Sequence, residues 1–281
     1  MKFIFGKKLV DQNEVTIGYN DLALLRGYGL FDFFRYVNFQ PLFMDDHLER
    51  LYRSADRLRL RCPIGRRQLK MLIHEMIREN GMKDGAVRMI LTGGYTENAW
   101  SISRPSFYAT NEPVRFPDAH HYKKGIKLLS ESYLRDVPDV KTINYLMGIY
   151  RQPELDTAGA FDLLFHQDGR ISELTRSNFY IVDEGGTIKT PVRDILQGVT
   201  RKHLLKFASE HYPVMETDIT LNDLKTVKEA FITGTTKKVL AVRQVDDMVI
   251  GEGQPGPVTL DLMKRFELYC KAWTDKVDSF N

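Results

Sequence analysis

The sequence predicts a mixed α/β protein of two domains, on three observations. The chain has 281 residues, enough for two modest domains when one commonly holds roughly 100–150 residues. Short β-type runs and amphipathic helical stretches follow one another from end to end, the pattern of sheets with helices packed on them. Asn111 to Gly125 breaks that rhythm with Pro113, Pro117, His120-His121 and Lys123-Lys124-Gly125, and reads as a linker. The expected division is residues 1–110, a linker over 111–125, and residues 126–281.

Lys2 to Phe5, Glu14 to Ile17 and Phe31 to Val37 read as strands, punctuated by Gly6, Gly18 and Asn38. In Asp46 to Leu60, the apolar Leu48, Leu51, Ala55 and Leu58 recur at three- and four-residue steps, so one helix face is apolar. Gln68 to Asn80 repeats this with Leu72, Ile73, Met76 and Ile77, and Asn80-Gly81 supplies a C-terminal stop. Ala86 to Thr92 and Ser106 to Thr110 read as strands. Beyond the linker come a strand at Ile126 to Glu131, a helix from about Ile143, and strands at Phe161 to His166 and Asn178 to Val182. Thr200 to His211 is a helix, Ala230 to Thr233 and Val239 to Val242 are strands, and Pro257 to Trp273 is a final amphipathic helix.

A hydrophobic share of 43% and a charged share of 27% describe an ordinary globular protein. The formal net charge is +3, too small to mark a nucleic-acid partner, and Arg57, Arg59, Arg61, Arg66 and Arg67 read as a solvated patch. Cys62 and Cys270 stand apart from each other and from His-rich spacing, so neither a metal site nor a disulfide framework is expected. No apolar run approaches the roughly 20 residues that cross a bilayer, and the N-terminal one is too short for a signal peptide. Cytoplasmic location and no membrane partner are the expectations.

Four short stretches carry chemistry: Val140-Lys141-Thr142-Ile143-Asn144-Tyr145, Ile171-Ser172-Glu173-Leu174-Thr175-Arg176-Ser177-Asn178, Leu196-Gln197-Gly198-Val199-Thr200-Arg201 and Gly234-Thr235-Thr236. They supply one amine, one carboxylate and two small turns rich in N–H and hydroxyl groups. Pyridoxal phosphate asks a protein for a Schiff-base lysine, an acid at its pyridine nitrogen and donors for its phosphate. Each stretch alone has a plainer reading. Lys141 could be a surface charge, Glu173 a solvated turn carboxylate, Thr200 an N-cap after a glycine turn, Arg50 an exposed helix charge and Tyr145 a core tyrosine.

In this order the stretches resemble the class IV, or branched-chain-like, aminotransferases, a family that includes branched-chain and D-amino acid aminotransferases and aminodeoxychorismate lyases. The resemblance runs from about Tyr28 to about Thr259 and includes His47-Leu48-Glu49-Arg50-Leu51. It implies a two-domain D-amino acid/branched-chain aminotransferase-like fold, with pyridoxal 5'-phosphate at the domain interface, and a homodimer. By the same resemblance Lys141 is the Schiff-base lysine and can carry a proton between substrate Cα and cofactor. Glu173 keeps the pyridine nitrogen protonated. Arg50, Gly198, Val199, Thr200 and Thr235 hold the phosphate, and Tyr145 meets the phenolic oxygen. Thr235 and Thr236 also help hold the substrate carboxylate.

The substrate pocket implied by this resemblance takes in Tyr28 and Phe31, from a segment that also contains Arg35, and Arg88, which can reach a second carboxylate in branched-chain enzymes. Phe33 and Phe34 are expected in the core, since adjacent strand residues face opposite ways. Tyr28 replaces an acid, Ala86 a tyrosine, and Arg176 stands where small residues are usual. Thr92-Gly93-Gly94 lacks the arginine of the D-amino acid enzymes. Val249 to Gly253 and Gly256 to Thr259 resemble the closing segment of branched-chain aminotransferases. The expected activity is transamination between a branched-chain or other apolar amino acid and a 2-oxo acid, in amino acid metabolism. The alternatives are a lyase that releases pyruvate from aminodeoxychorismate, or a non-catalytic phosphate-binding scaffold.

Overall fold

The computed structural model describes residues 1–278, and the chain divides into two compact units. The first comprises Met1–Val114, Val140–Asn144 and the chain from Ala272 onward; the second comprises Arg115–Asp139 and Tyr145–Lys271. The division therefore differs from a single break over 111–125. Residues 111 and 112 finish a strand, and residues 119–124 form a helix.

The first unit holds β1 (Lys2–Phe5), β2 (Lys8–Asp11), α1 (Leu22–Arg26), β3 (Gly29–Val37), β4 (Gln40–Pro41), α2 (Met44–Arg57), α3 (Arg66–Asn80), β5 (Gly85–Tyr95) and β6 (Arg104–Glu112). Its sheet is antiparallel in the order β2-β1-β6-β5-β3-β4. Alternation sorts its side chains. Leu30, Phe34, Val87, Met89, Leu91, Phe107 and Ala109 are buried, while Phe31, Phe33, Arg88, Ile90, Tyr108, Thr110 and Glu112 stay partly exposed on the opposite face. Helices α2 and α3 pack on this sheet with apolar stripes, Leu48, Leu51 and Ala55 on one and Ile73, Met76 and Ile77 on the other, as periodicity predicts, while Leu69 completes the α3 stripe in place of the expected Leu72, which is only partly buried. Gly81 ends α3 at φ +63°, as its stop signal requires.

Two expectations fail here for local reasons. Glu14 to Ile17 is not a strand, because the chain turns at Gly6 and returns as β2, and Gln12–Glu14 then forms a 3-10 turn. The helix expected from Ile143 begins at Leu146, because the preceding backbone is bound to β3. Phe31 donates its N–H to the Lys141 carbonyl (2.9 Å), and Ile143 donates to the Gly29 carbonyl (3.1 Å). Gly29 permits this approach. A Cβ there would lie 3.0 Å from the Leu91 carbonyl oxygen and 3.1 Å from the Ile143 side chain.

The second unit contains α4 (Ala119–Lys124), β7 (Ile126–Ser132), α5 (Leu146–Tyr150), α6 (Gln152–Ala158), β8 (Asp162–Gln167), β9 (Arg170–Leu174), β10 (Asn178–Val182), β11 (Ile188–Thr190), α7 (Val199–Ala208), β12 (Val214–Glu216), β13 (Ile219–Thr220), β14 (Glu229–Gly234), β15 (Lys238–Val245) and β16 (Met248–Val249). It also contains most of α8 (Pro257–Asp278). Its strands run β12-β11-β10-β14-β15-β7-β8-β9-β13, with β16 beside β15. An added pairing of β9 with β10, at Asn178 and Glu173, closes six of these strands into a ring. Leu128, Leu164, Leu174, Phe179, Ile232 and Leu240 belong to the core built on those strands. Among the described residues, no helix is long and apolar enough to cross a membrane.

Candidate active site

In the first unit, Lys141 is half-buried, with its Nζ 4.5 Å from the centre of the Phe31 ring. That ring also meets the Arg88 guanidinium at 5.6 Å, and Phe33 meets it at 4.9 Å. Phe33 thus lies on the open face beside Phe31, contrary to expectation, whereas Phe34 is fully buried. Arg88 is engaged by Glu112, its Nε and Nη2 donating to the two carboxylate oxygens at 2.8 and 3.0 Å. The Tyr28 hydroxyl donates to the Leu58 carbonyl at 2.6 Å, so its polar end anchors the chain beyond α2.

Arg50 is not the exposed helix charge its spacing allowed: it is 5% exposed. Its Nε and Nη2 donate to Asp32 Oδ2 and Oδ1 at 2.8 and 2.9 Å, and His47 Nδ1 lies 2.7 Å from Oδ1. Asp32 sits on the covered face of β3 and the two bases sit one helical turn apart on α2, so alternation and helical spacing bring the three together. Burial alone would raise the Asp32 carboxyl, but the charges and hydrogen bonds of Arg50 and His47 hold it well below the usual carboxylate range. Burial pushes His47 down despite the neighbouring carboxylate, so the imidazole is the neutral donor and Arg50 carries the compensating charge. Sequence reasoning missed Asp32. An acid in a strand between two phenylalanines was the available signal.

In the second unit, Glu173 is 5% exposed. Arg135 Nε donates to its Oε1 at 2.9 Å, Arg135 Nη2 adds a second bond to the same oxygen, and the Leu196 N–H donates to Oε2 at 2.9 Å. Arg135 also donates to the Pro138 carbonyl. A buried carboxylate requires such a partner, but nothing near Glu173 in the chain says which arginine it is. Asn178 completes the arrangement by donating to the Leu196 carbonyl at 2.9 Å. Glu173 and Asn178, the closing pair of the strand ring, therefore fix both backbone groups of one residue just before α7.

The residue that precedes α7 as its N-cap is Gly198, not Thr200, and no side chain caps the helix. A Cβ on Gly198 would fall 2.1 Å from Asn178 Oδ1, so only glycine fits beside that clamp. Val199 and Thr200 open the helix with N–H groups that the helix itself leaves unpaired. Arg201 is buried and structural, donating to the Pro191 carbonyl at 3.0 Å and to Glu216 at 2.6 Å. Thr235 and Thr236 form the turn after β14, and Tyr122 donates to the next carbonyl, of Lys237, at 3.1 Å. Tyr145 is the half-buried N-cap of α5, and Arg176 is exposed.

The donor set of this unit fits a phosphorylated ring. The Thr175 and Ser177 hydroxyls are buried with no hydrogen-bond partner, and Ser177 Oγ faces the Gly234 turn. An uncapped helix start and two unsatisfied hydroxyls near a buried carboxylate are what an anionic, nitrogen-containing ligand would complete. Among the described residues one group could hold a cation: Asp118, His120 and His121 bring ligand atoms within 4.8 Å of one another at the start of α4.

The family model for amino-transferase class IV matches residues 29–245. A Methanocaldococcus jannaschii protein provisionally named a branched-chain-amino-acid aminotransferase is 30% identical, across 99% of this chain and 99% of its own. The D-alanine aminotransferase of Bacillus licheniformis is 28% identical, covering 92% of this chain and 93% of its own. Among solved structures, the branched-chain aminotransferase of Thermoproteus uzoniensis with norvaline superposes with a TM-score of 0.87, at 25% identity, covering 96% of this chain and 94% of its own.

Proposed function

Since the chain belongs to the class IV aminotransferases, transaminases that use pyridoxal phosphate, we propose that it moves an amino group between a branched-chain or other apolar amino acid and a 2-oxo acid. The observation that supports this substrate class is the open face of the first unit, where Phe31 and Phe33 offer apolar surface and Phe31 also meets the Lys141 amine. An aliphatic side chain laid on those rings would gain about 25 cal/mol for each Å² of apolar area removed from water.

The cofactor supplies an electron-accepting ring and a phosphate handle. In this reading Lys141 Nζ takes the proton from substrate Cα and returns it. Glu173, fixed by Arg135 and by the Leu196 N–H, would keep a proton on the ring nitrogen. Its Oε2 accepts one N–H from Leu196, and a carboxylate acts as an acceptor only. The N–H groups of Val199 and Thr200, with Gly198 before them, and Thr235 would hold the phosphate, and Arg50 would add a compensating charge for it. Tyr145 would donate to the phenolic oxygen. Tyr28 and Phe31 bound the substrate, and Thr235 and Thr236 serve its carboxylate.

Glu173→Gln should leave the cofactor bound and slow turnover about 10²-fold, roughly 3 kcal/mol in the barrier, because an amide cannot hold a protonated pyridine nitrogen. Near-normal turnover in that variant would place the essential carboxylate elsewhere.

The deciding experiment is an amino-donor screen against 2-oxoglutarate and pyruvate, following keto-acid and amino-acid products. Valine, leucine or another apolar donor should be used in preference to polar ones. A protein that releases pyruvate from aminodeoxychorismate and accepts no amino donor is a lyase instead. Self-association as a homodimer belongs to the same reading. It is supported by Leu146, Ile149 and Tyr150, which leave α5 with three large apolar side chains each about 70% exposed.

A further inference from the structure

Arg88 invites a simple role as receptor for a second substrate carboxylate, but its guanidinium is already taken. Glu112 binds it through two parallel hydrogen bonds, and Thr110 donates to Glu112 Oε1 at 3.1 Å, fixing the carboxylate from its own strand. The register explains the pairing. Thr110 lies directly opposite Arg88, and Glu112 lies two residues further along β6, on the same face. Ala86, opposite Glu112, contributes only a methyl group. The pair is 36% and 33% exposed at its side chains, open enough for a small molecule to reach.

The position of the pair matters because Phe31 joins it to the reacting amine. One ring meets Lys141 Nζ and Arg88 Cζ, and Phe33 extends the same surface under the guanidinium. The wall beside Lys141 is thus two aromatic rings topped by a neutralised ion pair rather than by a lone cation. A distal carboxylate arriving there must displace Glu112 from Arg88 or lie beside it as a like charge, and either is unfavourable. An aliphatic side chain meets neither penalty.

We propose that Glu112 is a specificity-determining residue that, by holding Arg88, makes the enzyme select against substrates with a second carboxylate. This rests on the reading that Phe31 and Arg88 line the substrate side-chain pocket. Specificity here is set by an unfavourable contact with the wrong substrate, not by an added contact with the right one.

The test uses the holoenzyme and the ratio of kcat/KM for 2-oxoglutarate to that for 4-methyl-2-oxovalerate. Glu112→Gln should raise this ratio about tenfold or more, and the gain should vanish in the Arg88→Ala, Glu112→Gln double variant. Unmodified enzyme gives an independent measurement that no folding defect can confound. Glutarate should inhibit at least about tenfold more weakly than 4-methylvalerate. An unmoved ratio, a gain that survives loss of Arg88, or equal inhibition by the two acids overturns the role of Glu112 while leaving transamination standing. Wild-type enzyme that turns over neither oxo acid with any donor overturns the substrate reading and this proposal together.

Discussion

Alanine in place of Lys141 is expected to lower turnover about 10³-fold or more, a barrier increase of roughly 4 kcal/mol, because it removes the group proposed to move the Cα proton. The physical case rests on placement. Lys141 is one of 40 basic residues in the chain, yet its backbone is tied to β3 and its amine lies over Phe31. Tethering fixes the amine where a free side chain would sample many positions, and a fixed proton carrier is worth far more than the same group in solution. Reduction of the cofactor-loaded protein with borohydride, followed by peptide mapping, gives a direct chemical reading. The cofactor should be recovered on Lys141. Its recovery on another lysine, or an alanine variant with near-normal turnover, would refute the assignment. Added methylamine should restore part of the lost rate in the variant, since it returns an amine without its tether.

The largest effect on stability is expected at Asp32. Asp32→Asn should cost about 3–5 kcal/mol, because Arg50 would keep its charge in a buried place and lose its counter-charge. Asp32 is wholly buried and Arg50 nearly so, so solvent screens little of the loss. Urea unfolding of the cofactor-free protein is the measurement to make, so that only the chain's own groups compensate Arg50. A loss below about 1 kcal/mol would show that the charge is held by other groups.

The cluster also fixes a pH dependence. Asp32 is depressed in the fold, so its stabilisation is present above the unfolded carboxyl value of about 3.9 and is lost as pH falls below it. His47 is depressed as well. The fold therefore favours the neutral ring, and stability declines as pH falls below about 6.5 toward the lower folded value. Two acid-side steps are expected in cofactor-free protein, and His47→Gln should reduce the first. An unchanged first step would mean that another group produces it.

Much of this was legible before any coordinates. The stripes of α2 and α3, the strands β3 and β5, and the glycine stop at Gly81 follow from local patterns that a chain cannot hide, since apolar groups must share a face to leave water, although the face taken by Phe33 did not follow. The family was legible for a different reason. Lys141, Glu173 and the turns at Gly198 and Gly234 each have a plainer reading alone, and it is their set order along the chain that carries the resemblance. Lys8–Asp11 and the strands β9, β11, β12 and β13 were missed because short runs carry too few residues for a period to show. The linker misled because prolines and charges around Ala119–Lys124 hid a helix of only six residues.

By itself, then, the sequence determined the class of the fold and the family, and it offered Lys141 and Glu173 as candidates, because these depend on local patterning and on side-chain chemistry that stays the same wherever the chain goes. Only the tertiary structure decided what holds those groups. That Asp32 secures Arg50, that Arg135 and Leu196 secure Glu173, that Asn178 forbids a Cβ on Gly198 and that Glu112 occupies Arg88 are all pairings between segments well separated in the chain, several of them loops. No local pattern encodes them. The first two are settled because burial takes a charge out of water and the fold must bring it a partner from elsewhere in the chain; the others are settled by which segments the fold lays side by side.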